Sequence, residues 1–110
     1  SGVRVPAPPH KMIIYEVNIK VSTTIYHDYI KWLDLHILEM LQFDGFISNK
    51  KFLDKNLSNH QYMYISVHYY LESIKYLDKY LNNKAKKMRT ISDKKFINNI
   101  KISRRVIHEI

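Results

Sequence analysis

The chain has 110 residues, with 18 Lys and Arg against 10 Asp and Glu, six His and no Cys, for a formal net charge of +8. That length accommodates one domain, and a hydrophobic content of 45% suffices for a buried core. Two Gly exclude the Walker loop and the dinucleotide fingerprint, which need several close together, and the lack of Cys excludes disulfide frameworks, cysteine-based zinc sites and a cysteine nucleophile.

Residues 1–11, SGVRVPAPPHK, hold all three Pro (Pro6, Pro8, Pro9) and one of the two Gly. They are expected to be an appended or disordered leader, without the apolar run of a signal peptide. A single domain is expected over residues 12–110. No later stretch approaches the ~20 apolar residues of a membrane span. The absence of Cys fits a reducing compartment, so a cytoplasmic location is expected.

Met12–Val21 alternates. Ile13, Tyr15, Val17, Ile19 and Val21 fall on one face; Met12, Ile14, Glu16, Asn18 and Lys20 fall on the other, the pattern of a half-buried strand. Ser22-Thr23-Thr24 is a helix-start cluster. From Ile25 the spacing turns helical, with a stripe of Tyr29, Trp32, Leu33, His36, Ile37, Met40 and Leu41. Gly45 suits the helix end. Phe46–Leu57 has strand character, and Lys50-Lys51 marks it as an edge strand, because charge discourages further pairing. Ser58-Asn59-His60 is a turn.

Gln61–Tyr70 alternates again, Met63, Ile65, Val67 and Tyr69 against Tyr62, Tyr64, Ser66, His68 and Tyr70. Glu72-Ser73 opens a second helix with a stripe of Ile74, Leu77, Leu81, Ala85 and Met88 running on toward Phe96. Asn82-Asn83 offers a break point. Lys101–Ile107 closes as the last strand. The order β-α-β-β-α-β predicts an α+β, ferredoxin-like fold, an antiparallel sheet with two helices on one face.

The helices leave the other sheet face open. Tyr62, Tyr64, His68 and Tyr70 lie there with Met12 and Ile14, an apolar patch too large to leave in water without cause. A second copy of the same chain, related by a twofold axis, is the commonest cover for a small domain. A homodimer with sheet packed on sheet is expected.

The opening MIIYEVNIKV and the first helix, with Trp32, Leu33, His36, Ile37 and Leu41 ending near Phe46, resemble an uncharacterised bacterial family, domain of unknown function number 4286. Tyr69, Glu72-Ser73, Tyr80-Leu81, Ala85, Arg89 and Phe96 fall where that family's second-helix residues stand, so the resemblance spans residues 12–110. Two positions depart: Lys84 and Ser92 stand where His is expected, and the glycines usual between the second and third strands are absent. An activity that depends on those His is in doubt here. The family looks like part of the dimeric α/β-barrel group, which includes small monooxygenases and isomerases. The resemblance implies the fold and the dimer and supplies no reaction.

His36 is the first chemical candidate. It lies mid-stripe between Trp32 and Met40, pointing at the helix–sheet crevice, where a His can act as acid or base near neutral pH. A structural His bonded to a carbonyl or a buried Tyr is the commoner outcome. Trp32 keeps the stripe and reads as core packing beside that candidate pocket. No metal site is expected: His27 and His36 are nine apart, His60 and His68 eight, against the i, i+4 spacing that aligns two imidazoles. There is no nucleophile elbow, no carboxylate pair and no cofactor motif.

Nucleic acid is the remaining reading of the charge. Residues 75–105 hold 11 Lys and Arg against two Asp, whereas residues 22–44 hold one Lys against four acids. Lys84, Lys87, Arg89, Arg104 and Arg105 are the candidate anion contacts. Two observations weaken an RNA reading. Ile, Lys, Asn and Tyr make up 46 of 110 residues, so an AT-rich coding sequence explains much of the Lys excess. Tyr15 also has the parity of the helix-covered face, where it is not free to stack on bases. The ordered expectations are a homodimeric structural or interaction domain, then a small-molecule binder or cofactor-free enzyme with a pocket near His36, then RNA binding.

Overall fold

The computed structural model describes residues 11–110, so the leader expected over residues 1–11 lies outside the described residues apart from Lys11. Strand β1 (Ile13–Ser22) leads through a short 3-10 turn (Thr23–Ile25) into helix α1 (Tyr26–Met40). Strands β2 (Phe46–Leu53) and β3 (Tyr62–Leu71) follow, then α2 (Ile74–Asn83), α3 (Ala85–Lys95) and β4 (Ile100–His108). The strands form an antiparallel sheet in the order β2-β3-β1-β4, the ferredoxin-like arrangement.

The β1 alternation holds. Ile13, Tyr15, Ile19 and Val21 are buried beneath the helices with Ile65, Val67, Tyr69 and Leu71 of β3. From α1, Tyr29, Leu33, Ile37 and Met40 close over them. β2 is an edge strand, as Lys50-Lys51 implied, and its outer residues are mostly exposed. It is shorter than expected, because Asp54 ends it: the carboxylate accepts the backbone N–H groups of Asn56 and Leu57 and turns the chain.

The second helix differs from the expected stripe. It is two helices, broken at Lys84. Asn83 donates its side-chain amide to the Lys79 carbonyl, competing with the helix ladder at the break. A continuous helix would turn Lys84 onto the buried face, four residues after Tyr80. At the break Lys84 stays exposed, while Ala85 is buried as the stripe expected. Leu77, Tyr80, Ala85, Met88 and Ser92 make the buried line, whereas Ile74 is exposed and Leu81 only half-buried.

Candidate functional site

The sheet register settles which β4 side chains face the helices. Arg104 pairs with Val17 and Ile102 with Ile19, so both share the buried face of β1. They meet α1 and α3 around a cavity of about 40 Å³ whose lining includes Tyr15, Tyr29, Trp32, His36, Tyr69, Tyr80, Arg89 and Ser92. None of its lining residues is Asp or Glu.

Trp32 and His36 both reach this crevice, as their places on the stripe implied. Neither is sealed in the core; both remain half-buried. The imidazole stacks on the indole at 4.7 Å between centroids, and Phe96 packs edge-on against the other rings, 5.3 Å from Trp32 and 4.9 Å from Tyr29. Burial holds the His36 pKa below its ordinary 6.5, with Arg104 pushing the same way and Glu39 against. The ring is therefore neutral at pH 7 and presents one donor and one acceptor nitrogen.

The tyrosines form a second group. Tyr15 lies 6.2 Å from Tyr69 and 6.1 Å from Tyr80, centroid to centroid. Burial raises the pKa of Tyr29 and Tyr69 and pushes Tyr80 up to about 12, while Arg104 pulls all three down. The hydroxyls stay protonated near neutral pH. Arg89 enters from α3 and donates from Nη2 to the Tyr15 hydroxyl at 3.0 Å. Its Nε is buried and has no partner among the described residues, and the same is true of Ser92 Oγ, one turn along α3. Buried polar atoms are nearly always paired, so this is where the fold leaves bonding capacity unused.

The five expected anion contacts do not share a surface. Arg89 and Arg104 line the crevice, Lys84 and Lys87 are exposed on the helical side, and Arg105 points to the opposite sheet face. There Arg105 and His68 flank Glu16 in the register. Glu16 is only 4% exposed. It accepts bonds from Arg105, from Asn18 at 2.9 Å and, at 3.0 Å, faces His68 Nε2. The Arg105 bond is the main reason its pKa lies below the ordinary 4.5.

The expected open-face residues do sit together. Ile14 pairs with Tyr70, Lys20 with Tyr64 and Ser22 with Tyr62. The patch is less apolar than the alternation implied, because the Glu16 cluster occupies its middle. Lys20 covers Tyr62 at 4.1 Å from the ring centroid, and Phe52 packs on His68 at 4.9 Å. His68 is thus tied to Glu16 as well as to the face. Among the described residues no helix is long and apolar enough to cross a membrane.

With this geometry in place, comparison with known proteins fixes the family. The model of the family described as Domain of unknown function (DUF4286) matches residues 12–110. The chain belongs to that family. No curated protein matches it. This DUF4286 chain is similar in structure to a dimeric ferredoxin-like protein from an uncultured marine organism, at 5% identity and a TM-score of 0.65, covering 92% of this chain and 97% of that one. A candidate antibiotic biosynthesis monooxygenase from Bacillus cereus gives 16% identity and a TM-score of 0.62 over 91% of this chain and 94% of the other. SnoaB, a cofactor-independent oxygenase from Streptomyces nogalater, gives 6% and 0.62 over 86% and 90%. At such identities the likeness establishes the ferredoxin-like fold.

The sequence named Arg104 as an anion contact and Ser92 as a departure from the family, but not that both turn inward. Arg104 interrupts the alternation Ile100, Ile102, Arg104, Val106, a signal that β4 carries a charge toward the helices. Ser92 interrupts the second-helix stripe in the same way. Glu16 gave no local signal, because its partners come from β3 and β4.

Proposed function

We propose that this chain is a homodimeric small-molecule-binding domain whose ligand sits in the crevice between the sheet, α1 and α3. One observation carries the reading: polar groups converge on a helix–sheet cavity, and two of them, Arg89 Nε and Ser92 Oγ, are buried without a partner among the described residues. Core packing alone gives no reason to hold them there. The oxygenase names of two structural neighbours support a cofactor-free enzyme as an extension of this reading. Residues 12–110 are the functional unit, and the absence of Cys supports a cytoplasmic setting.

Trp32 is the chain's single tryptophan and lines the cavity, so its emission is a private reporter. A fragment set of small acids, amides, amines and phenols is titrated against it. At least one class changes the emission, and Val17→Ile, which adds a methylene to the cavity wall, weakens that response. If no fragment changes it, the crevice is packing only.

Pairing through the open sheet face is supported by the dimeric neighbour and by the half-exposed tyrosines over β1 and β3. Light scattering at micromolar protein gives twice the chain mass, and Tyr64→Glu lowers it. A monomer in the unmutated protein defeats the pairing.

A further inference from the structure

We propose that the crevice takes a small carboxylate, its head gripped by Arg89 and Arg104 with the Ser92 hydroxyl as a further donor. The inference rests on the crevice being a small-molecule site and names the chemistry of what enters it.

Charge is the first argument. Two guanidinium groups line one cavity that no Asp or Glu lines. Among the described residues neither pairs with a carboxylate, while Arg105, the next residue along β4, is paired with Glu16. Among the described residues that line the cavity, Arg89 and Arg104 are the only Lys, Arg, Asp or Glu side chains, and the His36 ring beside them is neutral. Two cations facing a cavity call for an anion.

Geometry is the second. Arg89 spends one Nη2 bond on Tyr15, which fixes the guanidinium plane and leaves Nε free. Ser92 Oγ, three residues on, lies on the same helical face and is equally free. Planar guanidinium forks bind carboxylates with two parallel bonds.

Size is the third. At roughly 10–15 Å³ for each water-sized group, the cavity of about 40 Å³ holds about three. A carboxylate head has three heavy atoms. The half-buried lining residues are Val17, Trp32, His36 and Ile102 together with the two arginines themselves; with the head on the arginines, the remaining way out is mainly apolar and aromatic, so the tail is apolar or aromatic.

The test titrates the full chain with benzoate, butyrate, their amides and inorganic phosphate, following Trp32 emission and backbone amide shifts at residues 89, 92 and 104. A carboxylate binds at least about tenfold more tightly than its amide, and Arg89→Gln and Arg104→Gln each erase most of that preference. Arg104→Lys keeps the charge but loses the fork, and it also weakens carboxylate binding by about tenfold. Comparison of acid with amide on the unmutated chain stands even if a variant fails to fold. Equal binding of acid and amide overturns the carboxylate and leaves the crevice a small-molecule site. Phosphate binding more tightly than either acid overturns it as well. Silence from every probe overturns both readings.

Discussion

Replacing Ser92 by Ala inverts the usual sign of a buried polar deletion. Ser92 is 5% exposed in the interior of α3, and its Oγ has no partner among the described residues. An unsatisfied buried hydroxyl costs about 1–3 kcal/mol, and Ala is the better helix former by about 0.5 kcal/mol. Loss of one oxygen enlarges the cavity by ~10 Å³, which at ~24 cal/mol per Å³ returns about 0.2 kcal/mol. S92A is therefore stabilised by about 1–3 kcal/mol. For a domain of this size each ~1 kcal/mol raises the melting temperature by about 4–8 °C.

Urea unfolding read by Trp32 emission, at equal protein concentration for both proteins so that any self-association contributes equally, measures the difference. The same variant binds a carboxylate less tightly, the stability–function trade-off of a site residue. A loss of about 1 kcal/mol in S92A refutes the reasoning. It means that the hydroxyl is bonded within the folded protein and that the cavity's polar atoms serve the fold.

Gly45 tests the turn that joins α1 to β2. Its φ is +79°, and a Cβ there falls inside the Tyr76 side chain. Left-handed strain of ~1–2 kcal/mol and overpacking of ~1–3 kcal/mol predict that Gly45→Ala costs about 2–5 kcal/mol in urea; a cost below about 1 kcal/mol refutes both terms. The His36 pKa is lowered in the folded chain, so the unfolded chain takes its proton first as pH falls. Its contribution is present above the unfolded value of 6.5 and lost below it, and His36→Gln flattens the fall in urea midpoint between about pH 7 and pH 5. Glu16 behaves alike in a lower window: its stabilisation is lost as pH drops below the ordinary 4.5, and Glu16→Gln abolishes that loss. Unchanged pH profiles in these variants contradict the assignments.

The parts of the fold that were legible are those set by local periodicity. Strand parity placed Tyr15 beneath the helices and Tyr62, Tyr64, His68 and Tyr70 on the open face, where they stand. The α1 stripe put Trp32 and His36 at the crevice. What failed to show depends on elements distant in sequence. The break at Lys84 reads as a weak local signal in Asn82-Asn83, and the stripe already turns Ala85 inward; what it does not show is Tyr80, rather than Leu81, against the sheet, which requires the sheet to be there. Glu16 looks solvent-facing by alternation. It is buried only because the register brings Arg105 and His68 to either side of it. Arg89 and Arg104 looked like parts of one basic surface until the fold turned them inward with His36.

Arg104 and Arg105 are adjacent on β4, and their contrast bears on why the crevice holds charge at all. Successive strand residues point to opposite faces, so one strand delivers one guanidinium to each side of the sheet. On the open side the register supplies Glu16, and the pair is closed within the chain. On the helix side the register supplies Val17, and α1 and α3 add His36, Arg89 and Ser92 without a carboxylate. If the cation on the helix side served only the fold, an acid at position 17 or on α3's inner face would neutralise it as Glu16 neutralises Arg105. Val17→Glu makes that comparison directly. An internal carboxylate at position 17 competes with an added one, so V17E folds with Arg104 paired and no longer responds to benzoate. Undiminished benzoate binding in V17E refutes the view that Arg104 meets the ligand.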